Sequence, residues 1–140
     1  MTAKEFLSQA RDIDNRIDRK IEERERLLAK LTAGRMTQLT GMPRGGNSDW
    51  TDALARYIQL DDEIKAEIMD LCRIKREVNE AIDNVEDARL RHLLELRYRN
   101  YCTWEAIADE MGYDVRWVYR MHGRALAHVR IPQYAIESHA

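Results

Sequence analysis

The chain has 140 residues, of which 44% are hydrophobic and 34% charged, with a formal net charge of −2 at pH 7. This length allows one or two small domains. No apolar run exceeds three residues, which excludes a membrane span and a secretory signal peptide. Cys72 and Cys102 form no CxxC motif, which is typical of a reducing cytoplasm. The slightly negative charge, taken alone, argues against a nucleic-acid-binding protein.

Helix-breaking residues are concentrated in one short segment. Four of the six glycines and one of the two prolines lie in residues 34–46, and neither type occurs in residues 47–111. Long segments without glycine or proline are free to be helical. We therefore predict an all-α fold that starts with helices at about residues 2–32 and 49–85, joined by a flexible loop at 33–48.

Both predicted helices have an apolar stripe. In the second helix, apolar residues including Ile68 repeat on a seven-residue pattern from Leu54 to Val85, interrupted by Asp61 and Lys75. Such spacing keeps one apolar edge against a partner helix over several turns. We predict a long antiparallel coiled-coil hairpin over residues 1–85. A parallel coiled-coil dimer through the same stripes is the alternative.

Residues 86–131 have the pattern of a helix-turn-helix domain, and residues 132–140 follow as a C-terminal tail. Thr103 can cap a helix that starts at Trp104. Ala108 provides the small residue needed where two helices pack closely, and Gly112 tolerates the positive φ that the turn requires. A second helix is expected to start at Asp114 and to run towards residue 129.

Charge is unevenly placed in this domain. Arg116, Arg120 and Arg124 are spaced by four, which puts them on one face of the second helix. No acidic residue occurs in residues 115–136. Arginine makes bidentate contacts with guanine in the major groove, so this placement favours DNA binding.

Three further side chains are placed for DNA contact. Thr103 and Trp104 lie at the start of the first helix of the motif, where backbone phosphates are commonly bound. Tyr119 lies beside the arginine stripe, where it can reach a phosphate or a thymine methyl group.

Several short motifs resemble region 4 of bacterial sigma factors, which recognises the −35 promoter element. They are Leu-Arg-Tyr at 96–98, Thr-Trp-Glu-Ala-Ile-Ala at 103–108 and Arg-Ala-Leu at 124–126. A second resemblance is to a family of small phage and prophage proteins of Gram-positive bacteria, described as phage transcriptional regulators or as proteins of unknown function. It rests on the first ten residues, Ile-Asp-Asn-Arg-Ile at 13–17, Met-Gly-Tyr at 111–113 and Met-His-Gly-Arg-Ala-Leu at 121–126.

The sigma-factor resemblance implies which residues read DNA. Base-reading positions fall on Val115, Arg116, Tyr119 and Arg120, with Arg124 near the DNA backbone. Asp114, at the start of the same helix, completes the predicted DNA-binding set. Val115 and Tyr119 replace basic residues of the sigma pattern, so we expect a DNA sequence different from the housekeeping −35 element. No counterpart of the sigma regions that bind the −10 element or melt DNA is visible, so a complete sigma factor is not expected.

The sequence thus predicts a cytoplasmic phage or prophage transcriptional regulator that binds double-stranded DNA at a promoter or operator. Its further partner is host RNA polymerase or a second copy bound through the hairpin. One alternative is a DNA-packaging oligomer similar to small terminase subunits. The other is a polymerase-binding module that does not read DNA.

Catalytic and metal chemistry are not expected. His122 and His128 are six residues apart and do not share a helix face, as a pair of metal ligands would. The glycine-rich loop lacks the Gly-Lys-Ser/Thr of a phosphate loop. We therefore expect no metal, no cofactor and no enzymatic activity.

Overall fold

The computed structural model describes residues 1–39 and 47–134. Within these residues the chain is helical and contains no strand, which confirms the predicted all-α fold. A single π-helical turn, Glu95–Arg99, extends the third of its α-helices. None of the helices in these two stretches is both long and apolar enough to cross a membrane. The α-helices are α1 (Ala3–Leu39), α2 (Asn47–Asp83), α3 (Ala88–Leu94), α4 (Trp104–Met111) and α5 (Val115–Ala127).

Helix α1 is longer than predicted. It begins with a capping box, in which the Glu5 N–H donates to Thr2 Oγ1 and the Thr2 N–H donates to the Glu5 carboxylate, each at 3.1 Å. The predicted loop start at residue 33 is wrong, because the helix continues through a buried Gly34 to Leu39. A single glycine costs a helix only about 1 kcal/mol relative to alanine. Residues 40–46 of the predicted loop lie outside the described residues.

The chain separates into two compact units. The hairpin unit contains residues 13–71. The helix-turn-helix unit contains residues 1–12 together with the chain from residue 72 onward. The domain boundary predicted between residues 85 and 86 therefore lies inside the helix-turn-helix unit. The reason is that the first turns of α1 and the last turns of α2 belong to the same compact body as α3, α4 and α5.

In the hairpin unit, α1 and α2 run antiparallel. Lys20 Nζ lies 3.0 Å from Glu67 Oε1, and Arg24 Nη1 lies 2.6 Å from Asp61 Oδ1. Further along α1, the backbone carbonyl of Leu31 accepts a hydrogen bond from the Trp50 indole at 3.1 Å. As residue numbers increase along α1, the residue numbers of the partners on α2 decrease. The two helices are therefore antiparallel, which confirms the predicted hairpin.

The buried face of α2 differs from the heptad prediction at Asp61. Leu60 is fully buried, whereas Ile68, which the heptad places in the seam, is 43% exposed. Burying a charged group without full compensation is costly. Helix α2 therefore turns Leu60 inward and leaves the Asp61 carboxylate at the edge, where it binds Arg24 and Lys65.

The helix-turn-helix unit is built around α5, against which α3 and α4 both pack. The π-helical turn is fixed to the end of α2 by Arg99. The Arg99 guanidinium donates hydrogen bonds to Asn79 Oδ1 at 2.7 Å, to the Asn79 backbone carbonyl at 2.8 Å and to Asp83 Oδ1 at 2.7 Å. The core of the three helices consists of Leu90, Leu93, Leu94, Ile107, Ala108, Val118, Met121 and Ala125.

The turn between α4 and α5 is the one predicted. Gly112 has a φ of 72°, in the left-handed region, and its N–H donates to the carbonyl of Ala108. The Tyr113 N–H donates to the same carbonyl at 3.0 Å. Ala108 is buried where the helices meet, so its small side chain and the conformational freedom of Gly112 set the angle between α4 and α5.

Candidate nucleic-acid interface

Two of the predicted DNA-binding residues cap helices. Thr103 Oγ1 accepts a hydrogen bond from the Ala106 N–H at 3.1 Å and caps α4. The Asp114 carboxylate accepts from the Arg116 N–H at 3.4 Å and caps α5. Both side chains are exposed, so capping leaves them accessible. Their contact with DNA stays a prediction, whereas their contribution to helix formation follows from the geometry.

Helix α5 has one buried face and one basic face. Val118, Met121 and Ala125 are at most 3% exposed and pack into the core. Of the side chains predicted to face DNA, Arg116, Arg120 and Arg124 lie on the other side of the helix, and Val115 and Tyr119 lie nearer the buried face. Of these, Val115 is half-buried and the rest are exposed, namely Arg116, Tyr119, Arg120 and Arg124.

The three arginines of this face carry charge that the protein does not neutralise. In the part of the chain that the structure describes, Arg116, Arg120 and Arg124 form no ion pair. The closest aromatic contact is that of the Arg124 guanidinium, 5.6 Å from the ring centroid of Trp117. By contrast, Arg24 of the hairpin unit is bound to a carboxylate. The donors of the basic face are therefore available to an external anion.

Next to this face, two predicted residues join a third in a stack. The Trp104 ring lies 5.2 Å from the Tyr119 ring, between centroids, with the planes tilted by 52°. The Arg97 guanidinium lies 4.2 Å from the Trp104 centroid, and its Nη1 donates to the Cys102 carbonyl at 2.9 Å. We call this the Arg97–Trp104–Tyr119 stack. Arg97 belongs to the Leu-Arg-Tyr motif at 96–98, but no role was predicted for it from the sequence.

A buried polar pair lies behind the stack. The Tyr98 hydroxyl is 2.7 Å from His122 Nε2, and the His122 ring meets Trp104 edge-on with 4.6 Å between centroids. Burial, aided by the charges of Lys4 and Arg97, lowers the pKa of His122 to about 4. Burial raises the pKa of Tyr98 to about 12. Both groups are therefore neutral near pH 7 and hold the core together by a hydrogen bond.

The hydrogen bond between His122 and Tyr98 was not predicted from the sequence, where a metal ligand was disfavoured against an ordinary packed or solvated side chain. The spacing could have predicted that His122 is buried, because His122 follows the buried Val118 by four positions and so shares its helix face. In the described stretches, no three His, Cys, Asp or Glu side chains are grouped as a metal site would require.

The basic face extends over about two turns of α5. Arg116 and Arg124 are eight residues apart, which corresponds to roughly 12 Å at 1.5 Å per residue. One base pair occupies about 3.4 Å along the DNA axis. An α-helix fits the major groove, and the three arginines together would span roughly three to four base pairs of it.

A comparison with curated proteins found no match, and neither did a comparison with solved structures. One family model matches residues 30–129 and carries the description "Protein of unknown function (DUF1492)". This region contains the whole of α2 to α5 and every residue predicted to bind DNA. Since the match covers more than half of the 140 residues, the chain belongs to this family.

Proposed function

We propose that the chain is a sequence-specific transcriptional regulator of phage or prophage origin, which acts in the bacterial cytoplasm and places α5 in the major groove of double-stranded DNA. The main support for this proposal is the face formed by Arg116, Arg120 and Arg124. These side chains are exposed and form no ion pair within the described residues. The face belongs to the second helix of a helix-turn-helix, the helix that reads bases in such motifs. The resemblance to sigma-factor region 4 supports the same assignment.

The energetics of three arginines fit sequence recognition with a partner. One good bidentate contact with a base contributes roughly 1–3 kcal/mol of discrimination. Specific sites are bound about 4–10 kcal/mol more tightly than non-specific DNA. If some arginines of α5 contact phosphates rather than bases, a single copy of the helix supplies only the lower part of this specificity free energy. A second anchor is therefore part of the proposal.

The hairpin unit offers a surface for that second anchor. Four large apolar side chains on this unit are between 43% and 76% exposed. Burying them against another protein would stabilise a complex. We propose that one or more of these side chains bind a second copy of the chain, which would present two half-sites, or host RNA polymerase. The four residues are Leu28, Ile58, Ile68 and Met69.

DNA selection tests the proposal directly. The full chain is used to select duplexes from a random pool, and affinities for the selected duplex and for a mixed-sequence duplex are then compared. The double variant Arg116→Ala/Arg120→Ala should lose roughly 5- to 150-fold of discrimination per arginine, from 1–3 kcal/mol each. Its helical circular dichroism should be unchanged, because both side chains are exposed.

The matched control is Arg19→Ala/Arg26→Ala, which removes the same charge from two exposed positions of the hairpin unit. Discrimination should survive in this control. A wild-type chain that selects no sequence, or an Arg116→Ala/Arg120→Ala variant that discriminates as well as the wild type, would refute the proposed readout. Light scattering measures the oligomeric state and so distinguishes the two functions. A monomer or dimer would agree with a regulator, whereas a large ring would agree with DNA packaging.

A further inference from the structure

Beside the Arg97–Trp104–Tyr119 stack, the helix-turn-helix unit contains a cleft of about 100 Å³. Two basic side chains in its wall come from the first turns of α1 and a third from the π-helical turn. No acidic side chain is among the described residues that line it. We call it the basic cleft. Its lining includes Lys4, Ser8, Arg11, Arg97, Tyr101 and Trp104.

Two of the cations are held in place by aromatic rings. The Arg97 guanidinium is fixed by the Cys102 carbonyl and the Trp104 ring. The Arg11 guanidinium lies 5.8 Å from the Tyr101 ring centroid. Tyr101 itself has a φ of 56°, a conformation that non-glycine residues rarely adopt. Residues with such strained backbone conformations are common at binding sites. Here the strained residue is Tyr101, whose ring contacts the Arg11 guanidinium.

The positive charge of the cleft is not neutralised from within. Among the residues that the structure describes, Lys4, Arg11 and Arg97 form no ion pair with a carboxylate. Two acids adjoin these cations in sequence: Glu5 is engaged in the capping box with Thr2, and Asp12 is exposed. The charges of Lys4 and Arg97 also contribute to the low pKa of His122. The cleft therefore presents three cations and the Ser8 hydroxyl, a set that suits a phosphoryl group.

We propose that the basic cleft binds a phosphoryl group, namely a backbone phosphate of the same DNA that α5 contacts. This inference rests on the proposed function. Trp104 connects the two surfaces, because it lines the cleft and also contacts Tyr119 of α5. It is also the first residue of α4, the helix that crosses the DNA backbone in helix-turn-helix complexes. The first turns of α1 thereby become part of the DNA-binding surface.

The salt dependence of DNA binding tests this inference in the full chain. The variant Lys4→Ala/Arg11→Ala is compared with Arg19→Ala/Lys30→Ala, which removes one lysine and one arginine from other exposed positions of α1. Fluorescence anisotropy gives the affinity for the selected and the mixed-sequence duplex at several salt concentrations. The slope of log affinity against log salt should become shallower by up to about one in the cleft variant, since the loss of one phosphate contact removes about 0.9.

The cleft variant should also weaken binding to both duplexes by the same factor, because phosphate contacts carry no sequence information. The Arg19→Ala/Lys30→Ala control should keep the wild-type slope. A cleft variant with wild-type slope and affinity would overturn the inference while leaving the proposed function intact.

A second arm distinguishes DNA from a small phosphorylated ligand. Inorganic phosphate is titrated calorimetrically into the wild type and the cleft variant without DNA. If the wild type binds no duplex, the proposed function fails. Phosphate binding that is lost in the cleft variant would then assign the cleft to a small ligand and overturn its DNA role. Absence of binding to both duplex and phosphate would overturn the inference entirely.

Discussion

Acid should loosen the helix-turn-helix unit through His122. This side chain is 8% exposed, contacts the Tyr98 hydroxyl and packs edge-on against Trp104. Its pKa is lowered to about 4 in the folded protein, from an ordinary value of 6.5. Above about pH 6.5 the ring is neutral in both states, and the stability of the fold is fully present. As the pH falls from about 6.5 towards 4, the unfolded chain takes up a proton that the folded chain does not, so stability is lost.

The size of this loss follows from the two pKa values, which differ by about 2.5. One pKa unit corresponds to about 1.36 kcal/mol, so His122 contributes at most about 3 kcal/mol. Solvent screening around a side chain that is not fully enclosed reduces this value. Since small proteins are stable by only about 5–15 kcal/mol, even half of the limit is easily measured.

Two carboxylates with a lowered pKa act mainly at lower pH than His122. Hydrogen bonds with Lys65 and Arg24 lower the pKa of Asp61 below 3.8, and the backbone N–H groups of Leu90 and Arg89 do the same for Asp87. A lowered acid contributes stability above its unfolded pKa and loses it only as the pH falls below that value. Their contribution therefore disappears below the range in which His122 acts.

Urea unfolding followed by tryptophan fluorescence measures the effect at neutral pH and again just above pH 4, the pKa region of His122. The wild-type midpoint should fall on acidification, and the variant His122→Gln should show a much smaller fall. His128 is exposed, so His128→Gln should behave like the wild type. A wild-type midpoint that stays constant over this range would show that the buried imidazole does not control stability.

Four other substitutions test the local geometry. Gly112→Ala should destabilise the fold by about 1–2 kcal/mol through backbone strain alone, because a Cβ there meets no atom within 4 Å. Gly123→Ala should instead stabilise it by about 0.4–1 kcal/mol, since this glycine lies within α5 and a Cβ there also meets open space; urea unfolding measures both. Asp114→Ala should cost about 1 kcal/mol as a lost cap, and unchanged discrimination between duplexes would limit Asp114 to that role. Arg99→Ala should cost about 1–3 kcal/mol in the same unfolding assay, because it removes charged hydrogen bonds to Asn79 and Asp83.

The features predicted correctly from sequence depend on neighbouring residues. The cap at Thr103, the start of α5 near Asp114 and the turn at Gly112 each depend on hydrogen bonds and dihedral angles within a few positions. The exposed arginine stripe of α5 follows from a spacing of four on a helix. Such features are visible in a sequence because the interacting groups are close in the chain.

The features that were missed depend on distant residues or on competing energies. The basic cleft brings Lys4 and Arg11 to Arg97, and no local pattern indicates that these segments meet. The end of α1 was misplaced because Gly34 has a poor helix propensity, which the surrounding helix outweighs. The seam of α2 was misplaced at Leu60 because a heptad pattern counts positions and does not include the cost of burying Asp61.

The net charge of −2 does not reveal how differently charge is placed in the two units. In the hairpin unit, acidic side chains bind basic ones such as Lys20, Arg24 and Arg56, so those cations are not available to DNA. In the helix-turn-helix unit, α5 and the basic cleft together present six cations without ion pairs among the described residues. If the cleft neutralised one phosphate, this contact would contribute about −0.9 to the slope of log affinity against log salt. Under the proposed function, the acidic side chains elsewhere would lower the affinity for non-specific DNA, so such a chain would depend on its contacts with bases and on a second anchor to occupy a defined site.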